Sequence, residues 1–136
     1  MAGTDSYGRT AFCDVLIVED DVVLSDMLSG FLRRNGIDVR TAVSGAAASR
    51  LLETVAPRVG VFDYELPDIT GLNFARAIYQ QFPGLPIILM SASATDVGRS
   101  DLEGTGIKLF VNKPVPPQAL IRAIRQLISS HQGAVP

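Results

Sequence analysis

The strongest constraint on the fold of this chain is a set of short apolar runs that each stop at a chemically capable polar residue. Val15-Leu16-Ile17-Val18 runs into Glu19-Asp20-Asp21, and Val59-Gly60-Val61-Phe62 runs into Asp63. Ile87-Ile88-Leu89-Met90 runs into Ser91, and Leu109-Phe110-Val111 runs into Asn112-Lys113-Pro114. Continuous apolar runs of this length read as parallel strands buried on both faces. Ligands of such sheets bind outside the carboxyl ends of the strands. The acidic pair, the single Asp, the hydroxyl and the Lys are therefore expected on one edge. Together they suit a divalent cation and a phosphoryl group.

The segments between the runs change period. Leu24, Met27, Leu28, Phe31 and Leu32 fall at helical spacing, and Gly36 sits where that helix stops. Ile37 to Ala42 alternates as a short second strand at an edge. Ser44 is placed to cap a helix carrying Ala47, Ala48, Leu51, Leu52 and Val55, with Pro57 ending it. Thr70 caps a third helix carrying Phe74, Ala75, Ile78 and Phe82, which Pro83-Gly84 closes. Ala92 to Gly106, holding Gly98, Gly104 and Gly106, patterns poorly and is expected to give a short or mobile fourth helix. A fifth helix starts near Pro116-Pro117 and buries Leu120, Ile121, Ile124, Leu127 and Ile128. Strands are expected at 12–18, 37–42, 59–62, 85–90 and 107–111. Five strands alternating with five helices, joined by right-handed crossovers, give a doubly wound α/β three-layer sandwich. The strand order 2-1-3-4-5 sets strands one and three side by side at the switch point.

One domain is expected from 136 residues, flanked by a flexible N-terminal tail at 1–11 and a short tail at 132–136. A net charge of −2 offers no basic footprint, which disfavours direct nucleic-acid binding. Cys13 is the single cysteine, so an internal disulfide and a cysteine zinc site are excluded. No apolar stretch approaches the ~20 residues that span a bilayer, and the polar N-terminus lacks a signal-peptide core. These features point to a cytoplasmic protein without membrane contact.

Glu19, Asp20 and Asp63 would bring three carboxylates together, which repel and raise one another's pKa unless a hard cation joins them. Mg²⁺ takes oxygen ligands and shares its remaining positions with water or phosphate. Taken alone, Glu19-Asp20-Asp21 is an ordinary acidic cap for the first helix; Asp63 gives it another meaning. A carboxylate such as Asp63 can attack phosphorus and become an aspartyl phosphate. Ser91 can hydrogen-bond a phosphoryl oxygen, although a Ser ending a strand is usually turn chemistry. Lys113 can neutralise the transferring group as a point charge. Pro114 makes a cis peptide after Lys113 conceivable. His131, the lone histidine, lies near the end of the chain and is not assigned to catalysis. Gly104-Thr105-Gly106 is too short and misplaced for a nucleotide-binding loop.

From about Cys13 to Ser130 the chain resembles the receiver domains of two-component response regulators, a flavodoxin-like fold of five βα units. The resemblance rests on Ile17-Val18-Glu19-Asp20-Asp21, on Asp63 with Leu66-Pro67-Asp68-Ile69-Thr70-Gly71, on Ser91-Ala92 and on Lys113-Pro114, all in order. It places the receiver at 12–131. It implies that Asp63 is the phosphoacceptor and that Asp20 ligates Mg²⁺ (or Mn²⁺) directly, with Glu19 assisting through water. Asp63 would be a further metal ligand, and Glu65 would offer its backbone carbonyl. Ser91 would be the switch hydroxyl, Lys113 the phosphoryl-pairing cation and Phe110 the switch aromatic. A sensor histidine kinase or a histidine phosphotransfer protein would supply the phosphoryl group. The surface of the fourth helix, fifth strand and fifth helix would then change, engaging a downstream protein or a second copy. Such a chain assists its own phosphorylation and dephosphorylation and is not a multiple-turnover enzyme. Departures from the pattern are Glu19 where Asp is frequent, Phe110 without a hydroxyl, and the Gly-rich fourth segment.

Three other readings compete. The chain is a receiver from a hybrid histidine kinase or longer regulator, or a receiver-like interaction module that works without phosphate. The third is an aspartyl phosphatase, against which Glu65 stands where a second Asp is expected.

Overall fold

In the computed structural model, which describes residues 3–93 and 97–133, five parallel strands pair in the order 2-1-3-4-5. The elements are β1 (Ala11–Val18), α1 (Val22–Arg34), β2 (Val39–Ala42), α2 (Gly45–Leu52), β3 (Val55–Asp63), α3 (Gly71–Gln81), β4 (Ile87–Ser91), β5 (Ile107–Asn112) and α4 (Pro117–Gly133). Side chains of 131–133, and with them His131, lie outside the described residues.

The continuous apolar runs follow from burial on both faces. In β1, Val15 and Ile17 face one core with Leu28, Leu32, Leu120, Ile121 and Ile124, drawn from α1 and α4. Leu16 and Val18 face the other with Ala48, Leu52, Phe74, Ala75 and Ile78, drawn from α2 and α3. β3 and β4 divide the same way: Val61, Ile88 and Met90 join the first core, and Phe62, Ile87 and Leu89 the second. Each fully buried aliphatic side chain contributes about 1.5–3 kcal/mol of transfer free energy. The edge strands are less covered: β5 alternates, leaving Lys108 and Phe110 exposed, and β2 exposes Arg40 and Thr41 between buried Val39 and Ala42.

Helix ends follow local chemistry. Asp21 caps α1 by accepting from the Leu24 N–H at 3.2 Å, Ser44 caps α2 from Ala47 at 3.0 Å, and Thr70 caps α3 from Asn73 at 3.1 Å.

Four expectations are corrected. First, Val55 and Pro57 belong to β3, paired with Ala11 and Cys13, instead of ending the second helix. Proline is tolerated there because β4 begins opposite Gly60, so this end of β3 has a neighbour on one side only. Second, the fourth helix is replaced among the described residues by one 3₁₀ turn, Arg99–Leu102, which buries no side chain. Gly104 and Gly106 both take φ +70, a backbone that only glycine adopts without strain. Residues 94–96, within the expected helix, lie outside the described set. Third, α4 continues to Gly133, past the expected start of a tail. Fourth, residues 5–10, expected within a loose tail, fold back onto the domain through Asp5 and Arg9.

Cys13 is buried, and its thiol donates to the Val15 carbonyl at 3.6 Å. Burial, reinforced by Asp38, pushes its pKa from 9.0 up to about 11. The native thiol is therefore expected to resist iodoacetamide at pH 8 and to react once urea unfolds the chain, as mass spectrometry will report. Because the folded pKa is raised, the thiol's contribution to stability is complete below about pH 9. It is lost as the pH climbs from there towards 11.

Candidate functional site

Four strand ends deliver the polar groups to one edge. Glu19 and Asp20 follow β1, Asp63 ends β3, Ser91 ends β4, and Lys113 follows β5. β1 and β3 are neighbours in register, Val18 beside Phe62, so the acids leave the sheet side by side. Oxygens of Glu19, Asp20 and Asp63 lie within 4.8 Å of one another. Glu19 and Asp63 are buried and Asp20 is exposed.

The ammonium of Lys113 joins the two buried acids. Its Nζ lies 2.7 Å from Glu19 Oε1 and 3.0 Å from Asp63 Oδ1. The second Glu19 oxygen accepts the Asp21 N–H at 3.0 Å. Burial pushes the Glu19 pKa upward, outweighing the hydrogen bond from Lys113, and the nearby Asp63 charge adds to the rise. For Lys113, burial opposes the charge, but bonding to both carboxylates prevails and holds its pKa above the ordinary lysine value. Lys113 therefore stays cationic at neutral pH, and its charge lets two buried carboxylates coexist. A third carboxylate, Asp20, leaves the cluster with surplus negative charge.

Glu19, Asp20, Asp63 and Lys113 line a cleft of about 220 Å³, together with Asp21, Tyr64, Glu65 and Ala92. Glu65 reaches the cleft from a loop closed by its bridge to Thr70 and by the Gly71 N–H donating to the Tyr64 carbonyl at 2.6 Å. Gly71 is obligatory in this arrangement: a Cβ there would come within 2.1 Å of the Asp63 carbonyl oxygen. The Lys113–Pro114 peptide is cis. The Lys113 N–H donates to the Ser91 carbonyl at 2.9 Å.

Two of the residues picked from the sequence stand outside the cleft. Ser91 is buried and turned away: its hydroxyl donates to the Ser93 carbonyl at 2.8 Å and accepts the Ser93 N–H at 3.2 Å. Phe110 is 43% exposed, on a groove between β5 and α4 that also involves Val111, Pro114 and Ala123. Two residues were given no role from the sequence. Tyr64 lines the cleft, with only its place beside Asp63 to mark it. Asp68 accepts the N–H groups of Gly45 and Ala46 at 3.0 and 2.9 Å, pinning the loop after Asp63 to the start of α2. These bonds hold its carboxyl below the usual range. The signal was an acid in a loop opposite a helix start whose own cap, Ser44, meets only one of the free N–H groups.

The response regulator receiver domain model matches residues 15–125. The chain belongs to this family. The receiver is 32% identical over 114 residues to the "Probable transcriptional regulatory protein TcrX" of Mycobacterium tuberculosis, covering 84% of this chain and 49% of that protein. It is 29% identical over 128 residues to the alkaline phosphatase synthesis transcriptional regulatory protein SphR of Synechococcus elongatus, covering 88% and 50%. The receiver thus spans about half the length of these curated relatives. The receiver domain of NtrX from Brucella abortus superposes with a TM-score of 0.77 at 28% identity, covering 85% of this chain and 98% of that one. A CheY-like receiver from Methanospirillum hungatei shares the fold, with a TM-score of 0.80 at 21% identity over 90% and 98% of the two chains. Receivers of two-component response regulators serve phosphorylation-based signalling, and this chain shares that class.

Two substitutions check how the loop after Asp63 is held. Gly71→Ala is expected to destabilise the receiver by about 1–3 kcal/mol in urea unfolding, because the new Cβ meets backbone. Asp68→Ala is expected to lower the melting temperature at pH 7. The deficit should shrink as the pH falls below the Asp68 pKa, because a carboxylate with a depressed folded pKa stabilises only while ionised.

Proposed function

We propose that this receiver accepts a phosphoryl group on Asp63 from a partner's phosphohistidine, with Mg²⁺ in the acid cleft. The observation that carries this is the Lys113 ammonium held between Glu19 and Asp63, with Asp20 beside them. The donor set fits a hard divalent cation: three carboxylates within 4.8 Å of one another and a surplus negative charge that one ammonium does not neutralise. Asp20 and Asp63 would hold the ion, with Glu19 acting through water and the Glu65 carbonyl completing the protein's share. When bound, Mg²⁺ (or Mn²⁺) would shield the approaching phosphate and neutralise charge on its oxygens.

A carboxylate oxygen of Asp63 attacks phosphorus, an O–P bond forms and the P–N bond to the partner imidazole breaks. The leaving nitrogen keeps the electron pair and takes up a proton. Lys113, freed from one carboxylate interaction as Asp63 loses its charge, pairs with a phosphoryl oxygen instead. Water attack on phosphorus later restores Asp63 and releases inorganic phosphate. The chain therefore assists its own phosphorylation and dephosphorylation and is a signalling switch, not a multiple-turnover enzyme. Ser91 becomes a phosphoryl ligand by exchanging its bond to Ser93. Its movement changes the packing of Phe110 and the β5–α4 face, the surface offered to a downstream protein or a second copy. The phosphodonor is a sensor histidine kinase or histidine phosphotransfer protein. The setting is cytoplasmic, in keeping with the absence of any helix long and apolar enough to cross a membrane among the described residues.

Incubation with Mg²⁺ and a small phosphodonor is expected to add one phosphoryl group by intact mass, and none to Asp63→Asn. Uptake that persists in Asp63→Asn would refute the assignment. Mg²⁺ at about 100 times its dissociation constant is expected to stabilise the receiver by about 2.7 kcal/mol in thermal unfolding. Asp20→Ala should abolish most of that shift.

A further inference from the structure

The acid cleft accounts for Glu19 and Asp63, but not for the other buried charged residue among the described ones. Arg9 is 7% exposed and lies at the opposite end of the sheet, just ahead of β1. The eight residues of β1 separate it from the acids by roughly 25 Å. A buried guanidinium persists only where its donors are met. Its Nε donates to Asp5 Oδ2 at 2.7 Å, and its Nη1 donates to the carbonyls of Leu52 and Val55 at 3.4 and 3.3 Å. Its Cζ lies 4.1 Å from the Phe82 ring centre and 5.3 Å from that of Tyr7. The two rings meet edge to face at 4.8 Å. Both cation–π contacts hold the planar group in place.

Asp5 closes the loop on itself. Its Oδ1 accepts the N–H groups of Tyr7 and Arg9 at 3.1 and 2.7 Å. Its own N–H donates to the Arg9 carbonyl at 2.9 Å, and its carbonyl accepts from Gly8 at 3.0 Å. The partners of Arg9 belong to three separate elements: Leu52 ends α2, Val55 begins β3, and Phe82 is the C-cap of α3. At the end of α2 the positive charge also complements the helix dipole. Asp5, Tyr7 and Arg9 themselves lie upstream of residue 15, where the family match begins.

We propose that residues 5–9 are an arginine clasp, an integral part of this domain that locks α2, β3 and α3 together at the end of the sheet opposite the acid cleft. The segment is a structural strap of this chain, not a tether leading up to a receiver. A version trimmed to the family match would lose it, and with it the satisfied carbonyls at the α2–β3 junction.

Trypsin provides a direct test, because Arg9 is the first Lys or Arg in the sequence. A protease must extract the buried side chain to cut after it. Under native conditions the full chain is expected to keep residues 1–9 far longer than a peptide of residues 1–14, by at least about tenfold, followed by intact mass. Asp5→Ala should release them quickly. Arg9→Ala is expected to lower the melting temperature by about 5–10 °C. Adding Asp5→Ala to it should cost little more, because the two residues act through one contact. Cleavage after Arg9 in the native chain at the peptide's rate would overturn the proposal. So would thermal losses from the two substitutions that simply add.

Discussion

The Lys113 ammonium, 2.7 Å from Glu19 and 3.0 Å from Asp63, is the interaction on which the working edge of this protein depends. Two carboxylates at the ends of adjacent buried strands are an electrostatic liability, and burial pushes the Glu19 pKa upward. A single cation reaching across from β5 resolves the conflict and ties the edge strand to the centre of the sheet. The rest of the edge fits around that arrangement. Gly71 leaves room for the Asp63 carbonyl, and Asp68 anchors the following loop to α2 through two backbone N–H groups.

That arrangement leaves negative charge over and a cleft open to solvent at Asp20. A hard divalent cation would offset that surplus, and a phosphoryl group would bring oxygens that both the cation and Lys113 could use. The family match and the geometry therefore point the same way from independent starting points. The match reads the order of residues along the chain, and the geometry reads their charges in space.

Much of this was legible from the sequence because two-sided burial writes continuous apolar runs, and the residue after each run is fixed at the sheet edge. Glu19, Asp20, Asp63 and Lys113 were found that way. Legibility failed where local pattern and tertiary context disagree. Val55 and Pro57 look like a helix end, yet one-sided pairing lets β3 begin there. Among the described residues of the fourth helical segment only a 3₁₀ turn forms, because glycine supplies the backbone where side chains would have to supply packing. Ser91 was placed at the right strand end, but no pattern in the sequence shows which way a hydroxyl turns. Asp68 and Arg9 act on backbone groups more than twenty residues away, a relation that periodicity does not encode.

The two ends of the sheet are each held by one cation, and the choice of cation differs. At the carboxyl end it is a lysine, whose three donors on a flexible stem impose no fixed geometry. Such a group changes partners at little cost, as a carboxylate loses its charge or a new anion arrives. At the amino end it is an arginine, whose planar fork is matched at once by a carboxylate, two carbonyls and a ring face. Those contacts are met together or not at all. The domain thus pairs a pliant contact at one pole with a keyed one at the other, so the motion proposed at the acid edge would have a fixed end to work against.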